Sequence, residues 1–252
     1  MSADRTLAFA GNITHVFNPK NATFLFDDFI DGTGNFGDTN WLDDKGTQGI
    51  TGVRSGQTEH PGIVYAQSVA GGNAVSGGGA DYATIYKGLT AIRTEGSWTW
   101  EWDVWFFIEA DPVQYPHGIY RFGWGDVTNG DFTDGIYIEI DYTAHGSTNL
   151  FICCAAGGAR TKTDTGIAAE DSTWRRYKAV VNAAANSVEF FRDDVSLGTV
   201  NTNIPTGVAQ QCGPIVQNIA GDDGGGFGNP AQQDIEIRAD YFWQYNVAGI
   251  SR

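Results

Sequence analysis

The sequence predicts an all-β protein built as a two-sheet antiparallel sandwich, on four observations. Glycine takes 34 of 252 positions, about twice the usual share of roughly 7%, and clusters between apolar runs. Aromatic residues reach 13% while charged residues make up only 18%, a balance that excludes a disordered chain. Leu, Glu and Lys are too scarce for long exposed helices. Several runs alternate apolar and polar residues, the period of a strand whose side chains point to opposite faces.

Taken in order, residues 1–22 show no sustained period and end in Asn18-Pro19-Lys20-Asn21, which is turn chemistry. They are expected to form an amino-terminal arm that packs on another surface, with residues 23–252 as the sandwich domain. Residues 24–29 are the first strand, followed by a Gly/Asn/Asp loop through Thr39. Residues 43–52 read as a loop and 62–66 as a short strand. Residues 71–79, with five glycines in nine positions, form a second loop, and 82–86 another strand.

The clearest strand is 97–108. Trp98, Trp100, Trp102, Val104, Phe106 and Ile108 share the face expected to pack in the core. Thr99, Glu101, Asp103, Trp105 and Phe107 share the other. Residues 118–123 follow. In 135–142, Ile136, Ile138, Ile140 and Tyr142 point inward, while Tyr137, Glu139 and Asp141 point away. Residues 150–155, 173–181, 187–192 and 196–200 add four strands, and 235–243 closes the series with a long alternating one. Short strands separated by turn clusters describe a sandwich.

The net charge is −15, from 15 Lys and Arg against 30 Asp and Glu. Such a surface repels phosphate backbones, so nucleic acid is not an expected partner. The longest apolar run, 150–156, is far too short to span a bilayer. The first five residues lack the layout of a signal peptide, so synthesis in a cytoplasm is expected. Cys153 and Cys154, adjacent on a strand, point to opposite faces. With Cys212 they are expected to be buried thiols, since no CxxC or HxxxH spacing occurs.

One stretch is more specific. Gly157 through Ala168 is a polar Gly/Thr/Asp turn segment, and it leads into Ser172-Thr173-Trp174-Arg175-Arg176-Tyr177-Lys178. Residues 180–191 continue to Ser187-Val188-Glu189-Phe190-Phe191, and Thr202-Asn203-Ile204-Pro205 ends the run. This order resembles the concanavalin A-like (laminin-G-like) jelly-roll modules of tailed-bacteriophage structural proteins, namely head decoration proteins, head fibres and tail-fibre components. Residues 237–242 look like the last strand of such a module. Asp27-Asp28-Phe29 with Trp41, and residues 59–64, fit its beginning, so the likeness runs from Phe24 to Tyr245.

The resemblance implies a non-enzymatic virion structural protein of capsid-decoration or fibre type. It also implies a location in the particle after synthesis in a host cytoplasm. Expected partners are other virion proteins, further copies of the chain and surface glycans. No membrane partner and no cofactor are expected.

Two outward triplets carry the candidate chemistry: Glu101, Asp103 and Trp105 on one strand, Tyr137, Glu139 and Asp141 on another. On neighbouring strands of one sheet they would form a glycan-facing patch of acids and aromatics. Ile138-Glu139-Ile140-Asp141 also resembles the Glu-x-Asp strand of family 16 glycoside hydrolases, which share the jelly-roll fold. That family places a second Glu four or five residues after the first. Thr143 and Ala144 stand there instead, and a retaining mechanism needs both acids. No catalytic residue is therefore assigned, and a polysaccharide-active or carbohydrate-binding jelly roll is the alternative to the virion protein.

His15, His60, His117 and His145 share no spacing and read as surface or turn histidines. Asp126, Asn129, Asp131 and Asp134 crowd one loop and offer oxygens to a hard cation such as Ca²⁺. Asp and Asn are equally ordinary turn formers, so no metal ligand is assigned.

Overall fold

The computed structural model describes residues 24–27, 29, 41–46, 49–57, 60–70, 81–88, 97–107, 118–141, 147–170, 172–207, 210–220 and 233–246. The arm expected at 1–22, and Ile108 and Tyr142 of the expected core, lie outside them. The described residues hold the strands β1 (Phe24–Asp27), β2 (Leu42–Lys45), β3 (Gly49–Gln57), β4 (His60–Ala70), β5 (Asp81–Tyr86), β6 (Trp98–Phe107), β7 (Gly118–Gly125) and β8 (Gly135–Asp141). They continue with β9 (Asn149–Ala156), β10 (Ala159–Ala168), β11 (Arg175–Val181), β12 (Val188–Arg192), β13 (Val195–Val200), β14 (Gly213–Ala220) and β15 (Gln233–Asn246). No helix among the described residues is long and apolar enough to cross a membrane.

The strands form two sheets. One has eight strands in the order β13-β12-β11-β6-β15-β4-β3, with β1 beside β15. The other has seven, in the order β10-β9-β8-β7-β14-β5-β2. The pairings are antiparallel throughout, for example β6 with both β11 and β15. This is the jelly-roll sandwich that the alternating runs predict.

The core between the sheets follows from that alternation. Trp98, Trp100, Trp102, Val104 and Phe106 of β6 bury against Tyr120, Phe122 and Trp124 of β7 and Ile136, Ile138 and Ile140 of β8. The rings meet edge to face: Trp98 on Trp124 at 5.8 Å, Trp41 on Trp102 at 5.6 Å. Such pairs add about 0.5–1.5 kcal/mol each beyond their buried area. Two of the core indoles find hydrogen-bond acceptors inside the core, whereas the Trp102 indole N–H has none. The Trp100 indole donates to the Ile136 carbonyl at 3.1 Å, and that of Trp124 to Gln244 at 2.9 Å. Cys154 joins this core while Cys153 faces outward under a second small cluster, as their adjacency requires. All three thiols are buried.

Four strands correct the sequence expectation. β2 and the start of β3 occupy the expected loop 43–52. Both are edge strands with exposed Leu42 and Ile50, so no alternation marks them. β10 fills what reads as a polar turn segment. It is the exposed edge of the seven-stranded sheet, where Thr, Lys and Asp meet water on both sides. Its hairpin is made by Gly157 and Gly158, at φ 58° and 83°, a conformation that glycine adopts without strain. β14 is buried on both faces between β7 and β5. A doubly buried strand shows no period of two.

Candidate functional site

The two predicted triplets lie in different sheets. Glu101, Asp103 and Trp105 stand on β6 of the eight-stranded sheet, and Tyr137, Glu139 and Asp141 on β8 of the seven-stranded sheet. Each triplet does point away from the core, but the core lies between them. The six residues therefore do not form one patch.

The β8 triplet is covered. The loop 126–134 folds back over β7 and β8, and Phe132 packs edge-on against Tyr137 at 4.7 Å. Arg121 of β7, 1% exposed, spreads its guanidinium beneath this loop. It donates to Glu139 at 2.6 Å, to Asp131 at 2.6 Å, and to Gln217 and the Gly130 carbonyl at 2.9 Å. Lys162 of β10 reaches the other Glu139 oxygen at 2.5 Å and lies 3.9 Å from Asp141. Burial alone would lower the Arg121 pKa, and the charge and hydrogen bond of Glu139 reverse this and raise it.

Glu139 is 0% exposed and saturated by two cations. It holds the loop down. The loop acids are likewise engaged one by one: Asp126 accepts from the Thr133 amide, Asp134 from the Gly157 amide, and Asp131 from Arg121 while forming an ion pair with Arg160. They do not converge as a Ca²⁺ loop would. Thr143 and Ala144 lie outside the described residues.

The outward face of the eight-stranded sheet has a different character. Register sets its rows. Trp105 pairs with Arg238 of β15, and Arg238 with Tyr65 of β4. Asp103 pairs with Arg176 of β11 on one side. On the other side the ladder slips between Ala239 and Phe242, so Asp240 and Tyr241 stand opposite the single residue Asp103. This is a β-bulge, a device that re-aims side chains. It resets the inward phase of β15 to Phe242 and Gln244 and turns Asp240 toward Asp103. In the next row Glu101 pairs with Lys178 and Trp243.

His60, at the start of β4, completes the group. Its Nδ1 lies 2.7 Å from Asp240 Oδ2, and its ring stacks on Trp174 at 4.1 Å between centroids and 17° between planes. Trp174 directly precedes β11, so the imidazole is clamped between an indole and a carboxylate. The donor atoms of His60, Asp103 and Asp240 all fall within 4.8 Å of one another, and among the described residues no other set of His, Cys, Asp and Glu side chains gathers in this way. One row away, Arg238 lies flat over Trp105, its guanidinium carbon 3.8 Å from the ring centroid, and is held there by Glu236 at 2.8 and 3.2 Å.

Burial pushes the Asp240 carboxyl up to about 6; the His60 hydrogen bond opposes the shift and the Asp103 charge adds to it. Asp103 is also raised, first by burial, with His60 and Arg176 pulling down and Glu101 and Asp193 pushing up. A nitrogen and two carboxylates, one buried and one half-buried, that lie close together and short of compensating charge can move a proton or ligate a metal. Trp105 and Trp174 beside them are partly exposed, one face of Trp105 lying under Arg238 and one face of Trp174 against His60.

Of this site, the sequence reading held Glu101, Asp103 and Trp105 and missed His60, Trp174, Glu236, Arg238 and Asp240. A signal for three of these was present. Glu236, Arg238 and Asp240 alternate with Ile235, Ile237 and Ala239, so they share an outward face. His60 carried none, since its partner is 180 residues away.

No protein-family profile and no curated protein sequence matches the chain. Solved structures do. The protein SO2946 from Shewanella oneidensis MR-1, of unknown function, matches with a TM-score of 0.63 at 12% identity over 92% of this chain and 90% of that one. An endo-β-1,4-glucuronan lyase from the fungus Trichoderma reesei matches with a TM-score of 0.57 at 14% identity, over 87% and 94%. The carbohydrate recognition domain of Emp47p matches with a TM-score of 0.56 at 12% identity, over 93% and 100%.

These likenesses correct the expected function. Besides SO2946, similar structures include a lyase, a sugar-recognition domain and glycoside hydrolases. They contradict the expected non-enzymatic virion protein and back its alternative, a polysaccharide-active or carbohydrate-binding jelly roll, better than that reading. What the chain shares with these proteins is the concanavalin A-like jelly-roll fold.

Proposed function

We propose that the protein is carbohydrate-active and holds an extended saccharide across the outward face of β11, β6, β15 and β4. The observation that carries this reading is the row of Trp174, Trp105 and Arg238 beside Asp103, Asp240 and His60. Sugar rings present apolar C–H faces and equatorial hydroxyls. Flat aromatic surfaces take the first, and fixed carboxylates, one buried and one half-buried, and an imidazole take the second as hydrogen-bond partners. The converging His60, Asp103 and Asp240 are the centre at which the bound chain is acted on. With a net charge of −15 and acids along the face, a neutral polysaccharide is favoured over a polyanionic one.

The test is affinity electrophoresis of the purified protein through neutral glucans, xylans and mannans and through uronans, with reducing-end release assayed in parallel. Retardation by a neutral polysaccharide is expected, weakened at least about tenfold by Trp105→Ala, the order of an aromatic contact worth ~1.5 kcal/mol. Any release should be abolished by Asp240→Asn. Retardation that Trp105→Ala leaves unchanged, or no retardation by any of these polymers, would overturn the proposal.

A further inference from the structure

The meeting of His60, Asp103 and Asp240 needs an account beyond sugar contact. Three neighbouring strands deliver one donor each: β6 brings Asp103, β15 brings Asp240 through its bulge, and β4 brings His60. The imidazole is already oriented, stacked on Trp174 with Nδ1 directed at the Asp240 carboxylate. The side chains of His60 and Asp240 are only 15% and 8% exposed, so water screens them weakly.

Charge is also out of balance. The groups around the two carboxylates are His60, Glu101, Arg176 and Asp193. The cation among them, Arg176, already pairs with Asp194 and lies 3.9 Å from Glu101. A buried and a half-buried carboxylate thus face each other, and Asp240 has only the neutral-capable His60 ring and the Gly62 amide to compensate it. Such an arrangement costs free energy unless a cation enters.

We propose that His60, Asp103 and Asp240 bind a divalent transition-metal ion of the Zn²⁺ class, through one imidazole nitrogen and two carboxylate oxygens. Hard ions such as Ca²⁺ and Mg²⁺ select all-oxygen shells of six or more ligands, whereas a nitrogen with two carboxylates suits Zn²⁺. Bonds of about 2.0–2.2 Å in a tetrahedron bring the donors to ~3.4 Å from one another. The donors already lie within 4.8 Å of one another, so each pair need close by no more than about 1.4 Å. Three protein ligands leave a fourth position for a water or a substrate group. This goes beyond the saccharide reading and does not rest on it.

The probe is the metal alone. Tag-free full-length protein is stripped with a chelator and titrated calorimetrically with Zn²⁺, then with Ca²⁺ and Mg²⁺. One Zn²⁺ per chain is expected, with no saturable site for the other two. The near-isosteric His60→Gln, Asp103→Asn and Asp240→Asn should each weaken Zn²⁺ at least about tenfold, and Trp174→Ala by a comparable outer-shell factor. Glu189→Gln, an exposed carboxylate on β12, should leave it unchanged. Circular dichroism confirms that each variant is folded. Co²⁺ loading of the wild type should give visible ligand-field bands that His60→Gln abolishes. Absence of one-to-one Zn²⁺ binding by the wild type, or binding undiminished in the three ligand variants, overturns the proposal whatever the polysaccharide experiments show.

Discussion

At the scale of single residues, the two sheets use the same residue types for opposite ends. Glu139 sits under Arg121 and Lys162 with every oxygen matched, and breaking such a buried pair costs about 3–5 kcal/mol. Asp240 is also buried, but its hydrogen-bond partners are a neutral-capable ring and the Gly62 amide, and its carboxyl is pushed up to about 6. The free-energy consequence can be measured. A carboxyl whose folded pKa exceeds its unfolded value of about 3.9 destabilises the fold when ionised, above pH 6. The cost fades as pH falls through 6 and is gone near 4. In the presence of a chelator, Asp240→Asn should therefore melt above the wild type at pH 7.5, because Asn keeps an acceptor for His60 without the charge. The gap should close by about pH 4. A variant that melts below the wild type at pH 7.5 would show that the Asp240 charge stabilises the fold.

At the scale of elements, two irregularities make the molecule what it is. The bulge in β15 sets Asp240 beside Asp103. The loop 126–134 closes the outer face of the seven-stranded sheet through Phe132, which packs on Tyr137, Phe151, Cys153, Ala155 and Ile215. The anchor explains why that face, though it carries Glu139 and Asp141, offers nothing to a ligand. Phe132→Ala should cost about 3–5 kcal/mol by cavity formation, read from urea denaturation midpoints, and should expose Arg121 to hydrogen exchange. A loss below ~1 kcal/mol would mean that the polar bonds of the loop hold it without the ring. Neither irregularity leaves a periodic trace. The loop is legible as a turn-rich segment, but which sheet face it covers depends on β9 and β14, both distant in sequence.

For the whole molecule, the boundary near residue 22 is testable. Every described strand lies beyond it, and the first, β1, closes on β15 through the pairing of Phe24 with Tyr245. Deleting residues 1–22 should therefore leave one cooperative melt shifted by less than about 2–4 °C, equivalent to ~1 kcal/mol for a domain of this size. Loss of the cooperative transition would place part of the core upstream. Function at this scale is not set by the fold, which hosts both recognition and cleavage in other proteins. Among the described residues, the outward face of the eight-stranded sheet, with its aromatics and its converging acids, is what directs the carbohydrate reading.

The sequence by itself determined the class of the fold, the inward tryptophans of β6, the inward isoleucines of β8 and the outward direction of all six candidate residues. A period of two reports which side of its own strand a residue occupies. It does not report which strand lies alongside. Tertiary structure alone decided that β6 and β8 belong to different sheets, that Glu139 is a structural anion, and that His60 and Asp240 meet 180 residues apart. It also decided where β15 slips by one residue. Sheet membership and register are properties of long-range pairing, set by how two faces bury against each other, and no local pattern in one chain segment encodes them.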